Sequence, residues 1–149
     1  MATTRLPPDF RDFLRLLDSH GVEYLLLGGY AVGYHGYPRA TADMDVWVAN
    51  EDDNAHRVSA ALVEFGFAPQ IVGPSVFRAP NSVIRMGVPP LRIEIITSAS
   101  GVTFSECYPK RIVDTIDGIR VSVIDLESLK RNKKASARHK DLADLESLP

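Results

Sequence analysis

Apolar positions along the chain follow two periods, and the switches between them mark the elements. In PPDFRDFLRLLDSHG, residues 7–21, Phe10, Phe13, Leu14 and Leu17 recur at the i, i+3, i+4, i+7 spacing of a buried helical face. Prolines and an acid suit the start of that helix, and Gly21 suits its stop. VEYLLLGG is then a short apolar run closed by two glycines, the pattern of a buried strand, and AVGYHGY predicts a short helix or turn before a loop at YPRATA. DMDVWV, residues 43–48, alternates with period 2: Met44, Val46 and Val48 share one face, and Asp43, Asp45 and Trp47 share the other. Asn50 is placed to cap a second long helix whose first turn is acidic and whose stripe is Ala55, Val58, Leu62 and Phe65, with Gly66 at its end.

Beyond Gly66 the chain is punctuated by glycine and proline. SVIRMGV and LRIEIIT predict two strands joined by a turn at VPP; in the second, Leu91, Ile93 and Ile95 oppose Arg92, Glu94 and Ile96. FSECYPKRI reads as a short helix, VDTIDGIRVSVI as extended pieces around an Asp-Gly turn, and DLESLKRNKK and HKDLADLESL as two closing helices. With no repeat or linker, this order predicts one α/β (α+β) domain over residues 1–149, with C-terminal helices from about residue 125. The sheet is expected to be mixed and mostly antiparallel, with helices packed chiefly on one side.

Composition adds constraints. At 45% hydrophobic and 24% charged, the 149 residues are those of an ordinary globular domain with a real core. No apolar run approaches a membrane span and the N-terminus carries no signal-peptide pattern, so no membrane association is expected. The single cysteine, Cys107, excludes an internal disulfide and a thiolate zinc cluster, and a reducing, cytoplasmic setting is the expectation. The net charge of −2 conceals an asymmetry: KRNKKASARHK, residues 130–140, holds six Lys/Arg and no acid, and without them 11 Lys/Arg face 19 Asp/Glu. A basic stretch on an acidic domain fits an anionic ligand such as a polyphosphate or RNA. It fits equally a solvated helix end where cations offset the dipole.

The chemistry concentrates at two acids. Asp43 and Asp45, at i and i+2 of a strand, converge on one point, and Glu94, the one acid among Ile93, Ile95 and Ile96, is the natural third carboxylate. Three such groups repel one another unless cations neutralise them, and hard oxygen donors select Mg²⁺ or Mn²⁺, two ions in the fullest case. Taken alone, Glu94 also fits an edge-strand acid paired with Arg92. Gly28 and Gly29, at a strand-to-helix junction, permit close backbone approach to a phosphate. Arg39 and Thr41, in the loop before the acids, are placed either to touch phosphate or to order that loop. Lys130, Lys133 and Lys134 fall on one side of a helix, so Lys133, with Arg138 or Lys140, is a candidate for gripping a triphosphate or an RNA. His35, His139 and Cys107 read as structural, and Trp47 as core.

GGYAVGYHGYPRATADMDVWV, followed by RIEII, resembles the DNA polymerase β-type nucleotidyltransferase superfamily, and within it the small prokaryotic members of the minimal and AbiEii-like kind. LKRNKKASARHKDLADLESL is similar to their C-terminal segment, so the likeness spans nearly the whole chain. The resemblance implies a nucleotidyltransferase fold and Mg²⁺-dependent transfer of a nucleoside monophosphate from an NTP to a hydroxyl on protein, RNA or a small molecule. Gly28 and Gly29 would form the triphosphate-binding turn. Asp43 and Asp45 would be shared metal ligands, and Glu94 the third, helping to deprotonate the acceptor. Many relatives have Gly-Ser where this chain has Gly28-Gly29, and Asp is commoner at the position of Glu94. The likeness permits a toxin–antitoxin role, with tRNA or a partner protein as acceptor and a homodimer as one way to complete the site. The alternative is a non-catalytic nucleotide- or partner-binding module on the same fold. Metal-dependent phosphodiester hydrolysis would use similar acids without needing the glycine turn.

Overall fold

The computed structural model of the chain describes residues 6–36, 43–87 and 92–149. The expected loop at 37–42 and the expected turn at 88–90 lie outside these residues. Helix α1 (Pro8–Ser19) starts on proline and buries Phe10, Phe13, Leu14 and Leu17, the four positions of the apolar stripe. Strand β1 (Tyr24–Leu27) is buried along its whole length. It passes straight into α2 (Gly28–Tyr34), so the double glycine is the first turn of that helix. Strand β2 (Asp43–Val48) shows the expected alternation, with Met44, Val46 and Val48 buried and the two aspartates half-buried. Helix α3 (Asp52–Phe65) ends at Gly66, whose φ of 124° lies in the region glycine tolerates.

Two details of this half differ from the expectation. Asn50 does not cap α3; Glu51 sits at the cap position without a side-chain bond. The asparagine that matters is the buried Asn54, which accepts from Glu23 N at 2.7 Å and donates to Glu23 O at 3.0 Å and Ala49 O at 2.8 Å, tying α3 to the ends of β1 and β2. A short helix, α4 (Pro74–Arg78), also forms where only Gly/Pro punctuation was legible, and it buries Phe77.

Strands β3 (Val83–Met86) and β4 (Arg92–Ile96) pair antiparallel. Helix α5 (Phe104–Cys107) is capped by the Thr103 side chain and runs into a 3₁₀ turn at Tyr108–Lys110. Strands β5 (Ile112–Ile116) and β6 (Ile119–Val123) form the hairpin foreseen around Asp117-Gly118, whose φ values of 52° and 78° are those of a tight primed turn. Helices α6 (Leu126–Ser136) and α7 (His139–Ser147) follow.

The six strands form one sheet in the order β3-β4-β2-β1-β6-β5. The β1–β2, β3–β4 and β5–β6 pairs are antiparallel and the β1–β6 and β2–β4 pairs parallel, which gives the mixed, mostly antiparallel α/β sheet expected. The long helices α1 and α3 cover the apolar face, where Phe13 meets Phe65 edge to face. On the acid-bearing face Phe104 of α5 packs edge to face on Trp47. The loop at 98–101 docks α6 there: Asn132 Nδ2 donates to Ser100 O at 3.0 Å, and a Cβ on Gly101 would fall 2.5 Å from that of Ala135.

Candidate active site

Sheet topology explains why residues far apart in sequence meet. Strands β1 and β2 run antiparallel with Leu27 opposite Asp45, so the glycines that follow β1 lie beside the start of β2. Strand β4 runs parallel to β2 on its other side, with Asp43 opposite Arg92 and Asp45 opposite Glu94. Period-2 alternation then puts Asp43, Asp45, Arg92 and Glu94 on one face. Strand β4 is interior, flanked by β2 and β3, so Glu94 is not an edge-strand acid.

Gly28 is fitted to Asp45. Its φ is +60°, and a Cβ there would lie 2.0 Å from Asp45 Oδ2, so only glycine lets the aspartate stand where it does. Burial raises the Asp45 carboxyl above the usual range; nearby Glu94 and Asp43 add to this, and Lys140 and Lys133 oppose it. The fold therefore keeps a buried carboxylate beside like charges at a cost.

Two arginines meet the acids. Arg92 donates from Nε to Asp43 Oδ1 and from Nη2 to Oδ2, both at 3.3 Å, a bidentate pair. Arg85 on β3 reaches Glu94 Oε2 at 3.3 Å from Nε. The alternative reading, Glu94 paired with Arg92, gives way to two cross-strand pairs, Arg92–Asp43 and Arg85–Glu94. Among the described residues no three His, Cys, Asp or Glu side chains are drawn into a ready-made metal cage. The donor set nevertheless fits Mg²⁺ or Mn²⁺, which take few carboxylates and keep several waters.

A cleft of about 460 Å³ opens over these groups. Its lining includes Gly28 and Gly29, the acids Asp43, Asp45 and Glu94, and Asn132, Lys133, Ser136, Arg138 and Lys140 from the C-terminal segment. Arg39 and Thr41 lie outside the described residues. Arg138 and Lys140 are exposed.

Lys133 has a different position. It is buried, with Nζ 3.1 Å from both Asp141 Oδ1 and Asp144 Oδ2, whose side chains are 0% and 1% exposed. Asp141 also accepts from Ser136 Oγ at 3.0 Å and from Arg138 Nε at 2.8 Å. Burial alone would raise Asp141, but the bonds from Arg138, Lys133 and Ser136 outweigh it and hold the carboxyl well below the usual range. Lys133 therefore joins α6 to α7, and its charge is spent inside the fold. Aspartates at i and i+3 of HKDLADLES were the sequence signal for a buried cation.

His35 Nε2 lies 2.7 Å from Ile124 O, and Cys107 and Trp47 are buried, as their structural reading requires.

No family model matches the sequence, and no curated protein matches it. Solved structures do. A candidate nucleotidyltransferase from Thermotoga maritima superposes with a TM-score of 0.58 at 13% identity, covering 93% of this chain and 86% of its own. An antigenic nucleotidyltransferase-like protein from Paracoccidioides brasiliensis gives 0.53 at 20% identity, covering 97% and 77%. The fold is that of the nucleotidyltransferases. On this fold the acids of β2 and β4 and the glycines after β1 share one cleft, while identity this low leaves the chemistry to be argued from the side chains.

Proposed function

We propose that the protein is a metal-dependent nucleotidyltransferase that moves a nucleoside monophosphate from an NTP to a hydroxyl acceptor. The observation that carries the reading is Gly28 fitted against Asp45, with Glu94 in register beside it, in a cleft faced by Arg138 and Lys140. Asp43, Asp45 and Glu94 are the residues that would hold Mg²⁺ or Mn²⁺. When bound, the metal supplies neutralisation of the phosphate oxygens and a lowered pKa for the attacking hydroxyl.

The chain's own groups do the rest. Gly28 and Gly29 leave the near wall without side chains, so phosphate can approach the backbone there. Lys140 and Arg138, which also line the cleft, offset charge on the β- and γ-phosphates as pyrophosphate departs. Glu94 accepts the proton of the acceptor hydroxyl, whose oxygen bonds to the α-phosphorus as the bond to the bridging oxygen breaks. Holding the reactants in line is where most of the rate enhancement arises. The acceptor class proposed is RNA or a partner protein, in the toxin–antitoxin setting implied by the sequence resemblance.

Incubation with α-labelled ATP, CTP, GTP and UTP and cell extract tests this. A labelled product lost in Asp43→Ala and Asp45→Ala supports transfer. One feature favours a second reading, the non-catalytic binding module: Asp43 and Glu94 are already held by arginines. Nucleotide binding with no labelled product under any condition would select it.

A further inference from the structure

The arginines on β3 and β4 stand in a particular relation to the acids. On the acid face the charges form two rows across the sheet: Asp43 beside Arg92, and Asp45 beside Glu94 beside Arg85. Each arginine sits directly across a strand from its carboxylate, and Arg92 engages both oxygens of Asp43. Asp45 faces Gly28. A carboxylate whose two oxygens accept from a guanidinium has its best lone-pair directions occupied. A divalent cation binding there must displace that guanidinium.

Resting on the proposed metal-dependent reading, we infer that Arg92, seconded by Arg85, is an internal competitor for the divalent cation. In the absence of metal the guanidinium holds Asp43 in place and lowers the repulsion among the acids. When metal binds, Arg92 gives up Asp43. Arg92 is thus a positioning residue that sets the cation affinity and so the metal concentration at which the cleft fills. The half-exposed position of the pair suits this role, because an ion pair near solvent exchanges partners at small cost, whereas the buried Lys133–Asp141–Asp144 group would not.

The test is Mn²⁺ binding followed by the paramagnetic resonance signal of the free ion, without nucleotide, on the full chain. Arg92→Gln is expected to bind Mn²⁺ about threefold to tenfold more tightly than the wild type, and Arg85→Gln to shift in the same direction by less. Arg92→Lys, which keeps the charge but not the two-pronged contact, should fall between wild type and Arg92→Gln. Arg78→Gln, on α4 and paired with Asp52, removes a charge away from the acids and should leave the affinity unchanged. Urea midpoints of all variants establish that they are folded. If the wild type binds Mn²⁺ and Arg92→Gln binds equally or less tightly, the competition is refuted and the metal-dependent reading stands. A shift in Arg78→Gln as large as in Arg92→Gln also refutes it, since net charge alone would then account for the change. If neither wild type nor any variant binds Mn²⁺, with or without NTP, the metal-dependent reading falls and the inference falls with it.

Discussion

Replacing Lys133 with methionine separates two accounts of the basic segment. If Lys133 serves phosphate, its loss should harm binding and spare the fold. With Nζ 3.1 Å from both Asp141 and Asp144, and all three side chains at most 4% exposed, the structure instead makes it a stability residue. Methionine keeps the length and removes the charge, leaving two buried carboxylates without their shared cation. Breaking a buried pair in this way costs about 3–5 kcal/mol, and the low end, about 3 kcal/mol, applies because Arg138 and Ser136 still bond Asp141. The effect carries a pH signature. Asp141 is depressed in the folded state, so its stabilisation is present above its unfolded pKa of 3.8 and is lost as pH falls through the lower folded value. In the variant the carboxyl loses a cation and titrates higher, so protonation relieves it sooner. The gap between wild type and Lys133→Met should therefore hold from pH 7 to pH 4 and narrow as pH falls below 3.8. Urea unfolding followed by the emission of Trp47, the one tryptophan and a buried one, measures this directly. A variant within about 1 kcal/mol of wild type at pH 7, with a gap unchanged below pH 3.8, would refute the buried pair and return Lys133 to the phosphate.

Other outcomes follow from the same geometry. Gly28→Ala should cost about 1–2 kcal/mol from its left-handed backbone alone and, by pushing Asp45 aside, abolish Mn²⁺ binding measured by calorimetry. Asp45→Asn should raise stability at neutral pH by about 0.5–1 kcal/mol in thermal unfolding while eliminating the proposed transfer, because it removes a charge that burial and the neighbouring acids disfavour. Asn54→Ala should lower stability by about 2–3 kcal/mol in urea, since it leaves the buried N–H and C=O of Glu23 and the Ala49 carbonyl short of partners, and it should leave nucleotide affinity unchanged.

What was legible in the sequence was set by periodicity. The stripe of α1, the alternation of DMDVWV and the glycine stops of α1 and α3 are local patterns that burial imposes, and the structure repeats them position by position. The placing of Gly28, Asp43, Asp45 and Glu94 in one cleft needed only that β2 pair with both β1 and β4. Partners across elements were less readable. A helical run of lysines looks alike whether it faces water or a buried acid pair, so Lys133 could not be told from Lys130 or Lys134 by spacing. Asn50 and Asn54 both stand near the start of α3, and only the position of Glu23 on the neighbouring segment decides which one is used. Arg85 and Arg92 find their acids through the register of β3, β4 and β2, which the alternation within each strand does not specify.

The two ion clusters on α6–α7 and on β2–β4 have opposite logic. Around Lys133 each charge is answered by buried partners, and Asp141 is driven toward its ionised form, which is how a fold ties one helix to the next. Around Asp45 burial and like charge drive the carboxyl toward its neutral form, and glycine at position 28 preserves the arrangement when any larger residue would relieve it. A structural role gives no reason to keep an acid under such pressure, since asparagine would fill the same space at lower cost. The proposed metal-dependent reading would give one, because a divalent cation would offset the repulsion among Asp43, Asp45 and Glu94. The α6–α7 cluster matters to that chemistry all the same. By fixing Arg138 through Asp141 at 2.8 Å, it holds the start of α7, and with it Lys140, in the lining of the cleft.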